Sequence, residues 1–489
     1  MKYFLFFIML GLLLLFHVQA NCDYFPNHNA IQELRASAMK GNAKAQFNLG
    51  NVYAQGQGVT QDQTEAIKWY GLAAEQGDAD AQFNLGNAYL HGDGVMQNNP
   101  EAVKWYRLAA VQGHAMAQNN LGFAYAQGDG VAQDQTEAVK WYRLAAEQGN
   151  VYAQVNLGVS YAQGDGVMQN NSEAVKWFRL AAEQGNALAQ YNLGNMYYQG
   201  NGVTQDNFEA VAWYRLAAEQ GDVFAQNNLG NAYLHGDGVM QNNAVAVKWL
   251  RLAAAQGNAK AQYNLGNAYY EGQGVAQDQT EAVKWFRLAA AQGHAEAQFN
   301  LGVSYAKGEG VAQDQTEAIK WYRLAAEQGH AGAQVNLGIS YAQGQGVAQD
   351  QTEAVKWYRL AAALGNAYAQ VNLGVSYAQG QGVTQDQTEA IKWYRLAAVQ
   401  GNAEAQYNLG NAYYRGVVVR QSYAETLKWY RLAAARGLAQ AQYSLGLMYF
   451  YGLGVVKNRT IAKEWFGKAC DNGYQEGCDQ YRKMNMNSR

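Results

Sequence analysis

Apolar and polar positions along the chain repeat with a period of 36 residues. The pair Leu49-Gly50 returns at Leu85-Gly86 and at each corresponding position to Leu445-Gly446, twelve times without an insertion. All twelve tryptophans, Trp69 to Trp465, keep one register. A period of this size marks a stacked array, because so short a unit cannot bury its own apolar face and must borrow a neighbour's.

Within a unit the pattern predicts two antiparallel helices. Helix A spans about Ala43 to Gln55, with Ala45, Leu49 and Tyr53 on one stripe and the small Gly50 open to a close neighbour. The loop Gly56-Gln57-Gly58-Val59 follows. Asp62 with Glu65 three residues on then gives a capping-box pattern, and the equivalent cap is Asp, Asn or Ser in every unit. Helix B is expected to turn Ala66, Trp69, Leu72 and Ala73 inward and to stop at a left-handed Gly77, repeated through Gly473. The ends differ. Residues 30–41 align with helix B but place Glu33 where tryptophan belongs; later, Lys468 takes the place of a leucine expected to be buried, and Tyr481-Arg482 replaces Leu-Gly. Both read as polar capping half-repeats.

The consensus A-x-A-Q-x-N-L-G-x-x-Y-x-x-G-x-G-V, then A-x-K-W-Y-R-L-A-A-x-Q-G, resembles the Sel-one-like repeat (SLR) family, a relative of the tetratricopeptide repeat, over about residues 30–482. That resemblance implies an all-α, right-handed α/α superhelical solenoid that serves as a protein-binding scaffold, often exported or envelope-associated in bacteria. It also implies that Cys470 and Cys478 form a helix-to-helix disulfide like that of the cysteine-rich branch; two free buried thiols are the other reading. The chain departs from that branch in having one such pair. The eleventh unit departs as well, since Gly416-Val417-Val418-Val419 lacks the second loop glycine.

Composition narrows the classes further. Two prolines, 49% hydrophobic and 15% charged residues exclude collagen-like and disordered chains. A net charge of −3 without a basic run before Arg482 and Lys483 argues against a nucleic-acid partner. Lys2, an apolar run from Tyr3 to Phe16 and the small residues Val18 and Ala20 read as a secretory signal cleaved after Ala20, so membrane contact is expected only during export. Asn21 before Cys22 argues against lipidation. The expected organisation is a signal peptide at 1–20, an N-terminal cap at 21–41, twelve repeats at 42–473 and a C-terminal capping helix and tail at 474–489. The product is placed in the periplasm or at the surface of a bacterium, or secreted, with virulence among its conceivable roles.

No catalytic constellation stands out and no cofactor is expected. His17 falls in the leader and His28 near the N-terminus; His91, His114, His235, His294 and His330 exchange with amides and acids in sister units and read as solvated turn residues, not metal ligands. The G-x-G loops lack a preceding strand and a following Lys-Ser/Thr, so they are turns. Ser304-Tyr305-Ala306-Lys307 matches the start of a penicillin-recognising motif, but its sisters at Ser160, Ser340 and Ser376 read S-Y-A-Q and the companion motifs are missing.

Variation between units carries the functional signal. Positions equivalent to 44, 47, 51 and 54 differ freely and share one face of helix A; in the resembling tetratricopeptide fold this face lines the concave peptide groove. Its members include Leu188, Tyr191, Asn195 and Tyr198; Asn227 and Asn231; Lys260, Tyr263, Asn267 and Tyr270; Phe299; and Glu404, Tyr407, Asn411 and Tyr414. Tyrosine offers broad amphipathic contact and asparagine can pair with a peptide backbone. The face is read as a binding surface for a protein or peptide, alternatively for peptidoglycan or a host glycan stacked on tyrosine; the plainer reading is a half-exposed solenoid wall. Asn48 and its copies suit inter-repeat hydrogen bonds, and Trp69 and its copies suit the core.

Overall fold

The computed structural model describes residues 28–486, and every regular element among them is an α-helix, 26 in all. The expected leader, its cleavage point at Ala20, His17 and Cys22 lie outside the described residues. Among the described residues no helix is long and apolar enough to cross a membrane.

The chain divides into two compact units. The first runs to Ala232 and takes in Gly236–Met240; the second holds Tyr233–His235 and everything from Gln241. In the first, a capping helix His28–Met39 precedes five helix pairs, beginning with Ala43–Gln55 and Gln63–Glu75, and all but the last three residues of the next A helix, Val223–His235. The second starts on a B helix, Asn243–Ala255, continues through six pairs, and ends on the cap Gln475–Met486. Within each unit an A helix packs on its own B helix and each B helix on the following A helix.

The boundaries follow from local chemistry. Asn42 Oδ1 accepts the Ala45 amide at 2.8 Å and Asp62 Oδ1 the Glu65 amide at 2.9 Å. The capping box is only half formed. The Asp62 amide donates to the Tyr53 carbonyl, while the Glu65 carboxylate takes Lys68 Nζ at 2.8 Å and Trp69 Nε1 at 3.1 Å. Gly77 and its copies end helix B at positive φ, 92° at Gly77 itself.

The second loop glycine serves an inter-repeat contact. A Cβ built on Gly94 would lie 2.5 Å from the Gln63 carbonyl carbon of the preceding B helix. Where the eleventh unit lacks that glycine, Val418 adopts the left-handed conformation itself, at φ 61°.

The core is rotated by about one position from the expected stripe on helix B. Ala66, Tyr70, Ala73 and Ala74 are buried, while Leu72 is 44% exposed and every tryptophan after Trp69 is only half-buried. Two residues along an α-helix turn about 200°, so a core centred on Tyr70 sends Leu72 outward and leaves the indoles at its rim. Lys468 therefore replaces an exposed leucine, and its ammonium sits over the Trp465 ring at 4.4 Å. Gly50 is small because the Tyr70 ring lies on it; a Cβ there would come within 2.5 Å of that ring. Cys470 and Cys478 are joined as a disulfide, Cα atoms 4.5 Å apart, tying Arg459–Asp471 to the final helix.

Candidate functional site

The A-helix face is built outward from that core. Its deepest layer is a ladder of amides. Gln46 and its eleven copies are all buried; Gln46 Nε2 donates to the Ala38 carbonyl at 3.0 Å, on the helix before, and its Oε1 accepts Gln76 Nε2 at 2.6 Å. Each such amide closes the C-terminus of one helix and clamps the next, a role that sequence reasoning missed although the glutamines recur thirty residues apart.

Above it lie the asparagines. Asn195 Oδ1 accepts the Tyr214 hydroxyl at 2.8 Å and Asn228 Nδ2, from the next repeat, at 3.3 Å. Asn411 accepts the Tyr430 hydroxyl at 2.5 Å, and Asn267 accepts Asn300 Nδ2 at 3.3 Å. The carbonyl ends of these side chains are spent inside the array, in contrast to the expected reading of a peptide backbone. Burial pushes the Tyr70 hydroxyl up to about 12 and the Tyr214 hydroxyl higher still, so both stay protonated donors. Inter-repeat bonds of the Asn228 and Asn300 kind are those expected for the copies of Asn48. Asn227, expected on the open face, is buried instead, its amide turned to Asn228 Oδ1 at 3.2 Å; Asn231 is half-buried.

Aromatic side chains form the outer layer. On Ala187–Gln199, Leu188 and Tyr191 are half-buried and Tyr198 is 45% exposed; the Tyr191 ring lies 5.8 Å from Phe224 of the next A helix. In the second unit, Tyr263 stacks on His294 at 4.7 Å and Phe299 on His330 at 4.4 Å. Tyr270 donates its hydroxyl to Glu309 at 2.9 Å, and Lys260 is exposed. Tyr407 stacks on Tyr430 at 5.5 Å, and Tyr414 keeps 38% of its surface. The structure brings Lys260, Tyr263, Asn267, Tyr270 and Phe299 onto two successive A helices; Tyr407, Asn411 and Tyr414 occupy another, three repeats beyond Phe299.

The histidines require a correction. His114, His294 and His330 are not solvated turn residues but caps, each accepting a helix amide through Nδ1, at 3.0–3.3 Å, under a stacked ring. Burial holds the His114 and His294 imidazoles below their ordinary pKa against the opposing pull of Asp80 and Glu296. Among the described residues no group of three metal-ligating side chains converges.

A row of paired helices clamped by amides, with a varied open face and fixed packing positions, defines an all-α repeat scaffold. The Sel1 repeat matches it twelve times in succession, from residues 43–78 to 439–474, and the chain belongs to the Sel1 repeat family. Among solved structures it is similar to c5321, a protective antigen present in uropathogenic Escherichia coli strains and displaying an SLR fold, at 38% identity and TM-score 0.77, covering 92% of this chain and 95% of that one. A Sel1 repeat protein from Oxalobacter formigenes is also 38% identical, over 62% of this chain and 88% of its own, with a TM-score of 0.49. No match was found among curated proteins. Like its family, the chain is a non-enzymatic repeat scaffold of a kind suited to protein–protein interaction.

Proposed function

We propose that the chain is exported and acts as a scaffold or adaptor that binds a protein or peptide on its A-helix face. The observation that carries this reading is the division of labour within each A helix. Positions equivalent to 45, 46, 49 and 50 are fixed and buried, whereas those equivalent to 44, 47, 51 and 54 vary and leave rings such as Tyr198 and Tyr414 in solvent. Rigid aromatic anchors on a preformed surface are the usual carriers of binding energy. Export is supported by the leader-like residues 1–20 and by the disulfide, which persists in oxidising compartments. The reading as a glycan receptor has less support at Tyr263, because a sugar needs a free ring face and His294 stacks on that ring.

Replacing Tyr191, Tyr263 and Tyr270 together by alanine tests the proposal. A partner captured from envelope extract by the wild-type chain should be retained at least tenfold less well, while helical circular dichroism at 25 °C stays the same. Equal retention by the folded triple variant would remove the A-helix face from consideration.

A further inference from the structure

The chemistry of the partner can be read from the first unit, on the strength of the A-helix reading just proposed. Four successive A helices, Ala115–Gln127, Val151–Gln163, Ala187–Gln199 and Val223–His235, contain no Asp, Glu, Lys or Arg. The second residue of each forms a line at repeat spacing: Met116, Tyr152, Leu188 and Phe224. Leu188 is half-buried; the other three are 50%, 53% and 43% exposed. In the two repeats before them the same register holds Lys44 and Asp80, which pair with each other at 3.2 Å. The apolar line thus begins abruptly at the third repeat, and a row of exposed apolar side chains of this kind is the composition of a contact surface.

An acidic border runs along the opposite end of the same helices. The hydrogen bond from Tyr270 to Glu309 shows that the loop residue after the A-helix glycine lies beside the last-turn side chain of the preceding A helix. In the first unit that loop position holds Gln57, Asp93, Asp129, Asp165, Asn201 and Asp237, so the border is acidic after three of the four apolar-lined helices and after the one before them, and none of the four aspartates is in an ion pair. They stand at helix C-termini, where the backbone adds partial negative charge and a cation is favoured a second time. The first unit as a whole has more acids than bases, the second the reverse.

We propose that this face binds a cationic amphipathic polypeptide segment. Its apolar side chains lie on Met116, Tyr152, Leu188 and Phe224, and its lysines or arginines face Asp93, Asp129, Asp165 and Asp237. The Tyr191–Phe224 contact brings side chains of neighbouring A helices together, so a helical segment laid across the row, which returns a side chain to the same face every seven residues, can meet successive A helices with one stripe. An anionic lipid surface would meet the wrong charge along the border, and a neutral glycan would gain nothing from it.

The test titrates the full chain into a fluorescein-labelled 18-residue peptide of leucine and lysine, with leucines on one helical face, and reads anisotropy. Binding should weaken as salt is raised, and a leucine–glutamate peptide of the same pattern should bind at least tenfold more weakly. The variant with Met116, Tyr152, Leu188 and Phe224 all changed to glutamine should lose tenfold or more in affinity. The variant with Asp93, Asp129, Asp165 and Asp237 changed to asparagine should lose several-fold and show a flatter salt dependence. Tyr368→Gln, at the same register in the second unit, should change nothing. Equal binding of the glutamate peptide, unchanged affinity in both multiple variants, or stripe-dependent binding to phosphatidylglycerol vesicles without peptide binding would overturn the proposal. If the peptide fails while the Tyr191/Tyr263/Tyr270 variant still loses its captured partner, the assigned partner chemistry is wrong and the A-helix scaffold reading survives.

Discussion

At the scale of single residues, the buried glutamine ladder explains both its regularity and its two gaps. Gln334 and Gln406 are the two rungs whose Oε1 has no hydrogen-bond partner, and in those repeats the C-cap glutamine is replaced by Leu364 and Arg436. A buried acceptor left unpaired costs about 1–3 kcal/mol. Leu364 is 60% exposed, so exchanging it gives up little apolar burial. Leu364→Gln should therefore stabilise the chain by about 1 kcal/mol, seen as a higher urea midpoint of the transition that includes the ninth repeat. Gln148→Leu, the reverse change where Gln118 now accepts its amide at 2.7 Å, should destabilise by a similar amount. Equal midpoints for both would show that the ladder carries no stability of its own.

At the scale of helices, much was legible from spacing alone: the bounds of A and B, the aspartate and asparagine caps, and the left-handed glycines. What was missed depends on rotation about the helix axis. Trp69 and Leu72 lie one position before and two after the true centre at Tyr70, and hydropathy ranks tryptophan and leucine above tyrosine, so the pattern alone centres the face wrongly. The Tyr70 ring is buried because Gly50 admits it, and Asn51 accepts its hydroxyl at 2.7 Å. That is a pairing across helices which no single helix displays. The hydrogen bonds that Asn195, Asn267 and Asn411 accept inside the array were missed for the same reason, while the variation of the aromatics on that face could be seen in the sequence itself. Histidine was misjudged because exchange with asparagine looks like solvation but signals a shared capping role. That role predicts a pH dependence. His114 and His294 have folded pKa values below the usual value of about 6.5, so their contribution is complete above that pH and is lost as pH falls through the lowered values. The neutral Nδ1 acceptor is lost on protonation, and the carboxylates facing the rings, Asp80 for His114 and Glu296 for His294, offset only part of that loss; Lys260 adds to it at His294. Thermal melts should show lower midpoints at pH 5 than at pH 7, and the double variant His114→Asn, His294→Asn, which keeps a cap acceptor, should show a smaller difference. An unchanged difference would mean that other groups set the acid response.

At the scale of the molecule, the number of repeats and the all-α class could be read from the period, and the division into two compact units could not, because the helix-forming pattern runs through it unbroken. In an array of this kind stability is a sum of nearest-neighbour terms, so the consequence of losing a contact depends on where along a unit it falls. The Cys470–Cys478 disulfide is an end contact. It closes a short loop worth about 2–3 kcal/mol and ties down Gln475–Met486, a helix whose one buried residue is Gly477. With so little apolar burial of its own, that helix relies on the covalent tie. Replacing both cysteines by serine should therefore free the cap without unfolding the unit. Amide hydrogen exchange should rise at least tenfold across 475–486, modestly in Arg459–Asp471, and not measurably in Gln387–Val399 or earlier helices of the second unit. If protection instead falls by the same factor from 459 back to 387, the unit unfolds as one cooperative block, and the nearest-neighbour description fails for this chain.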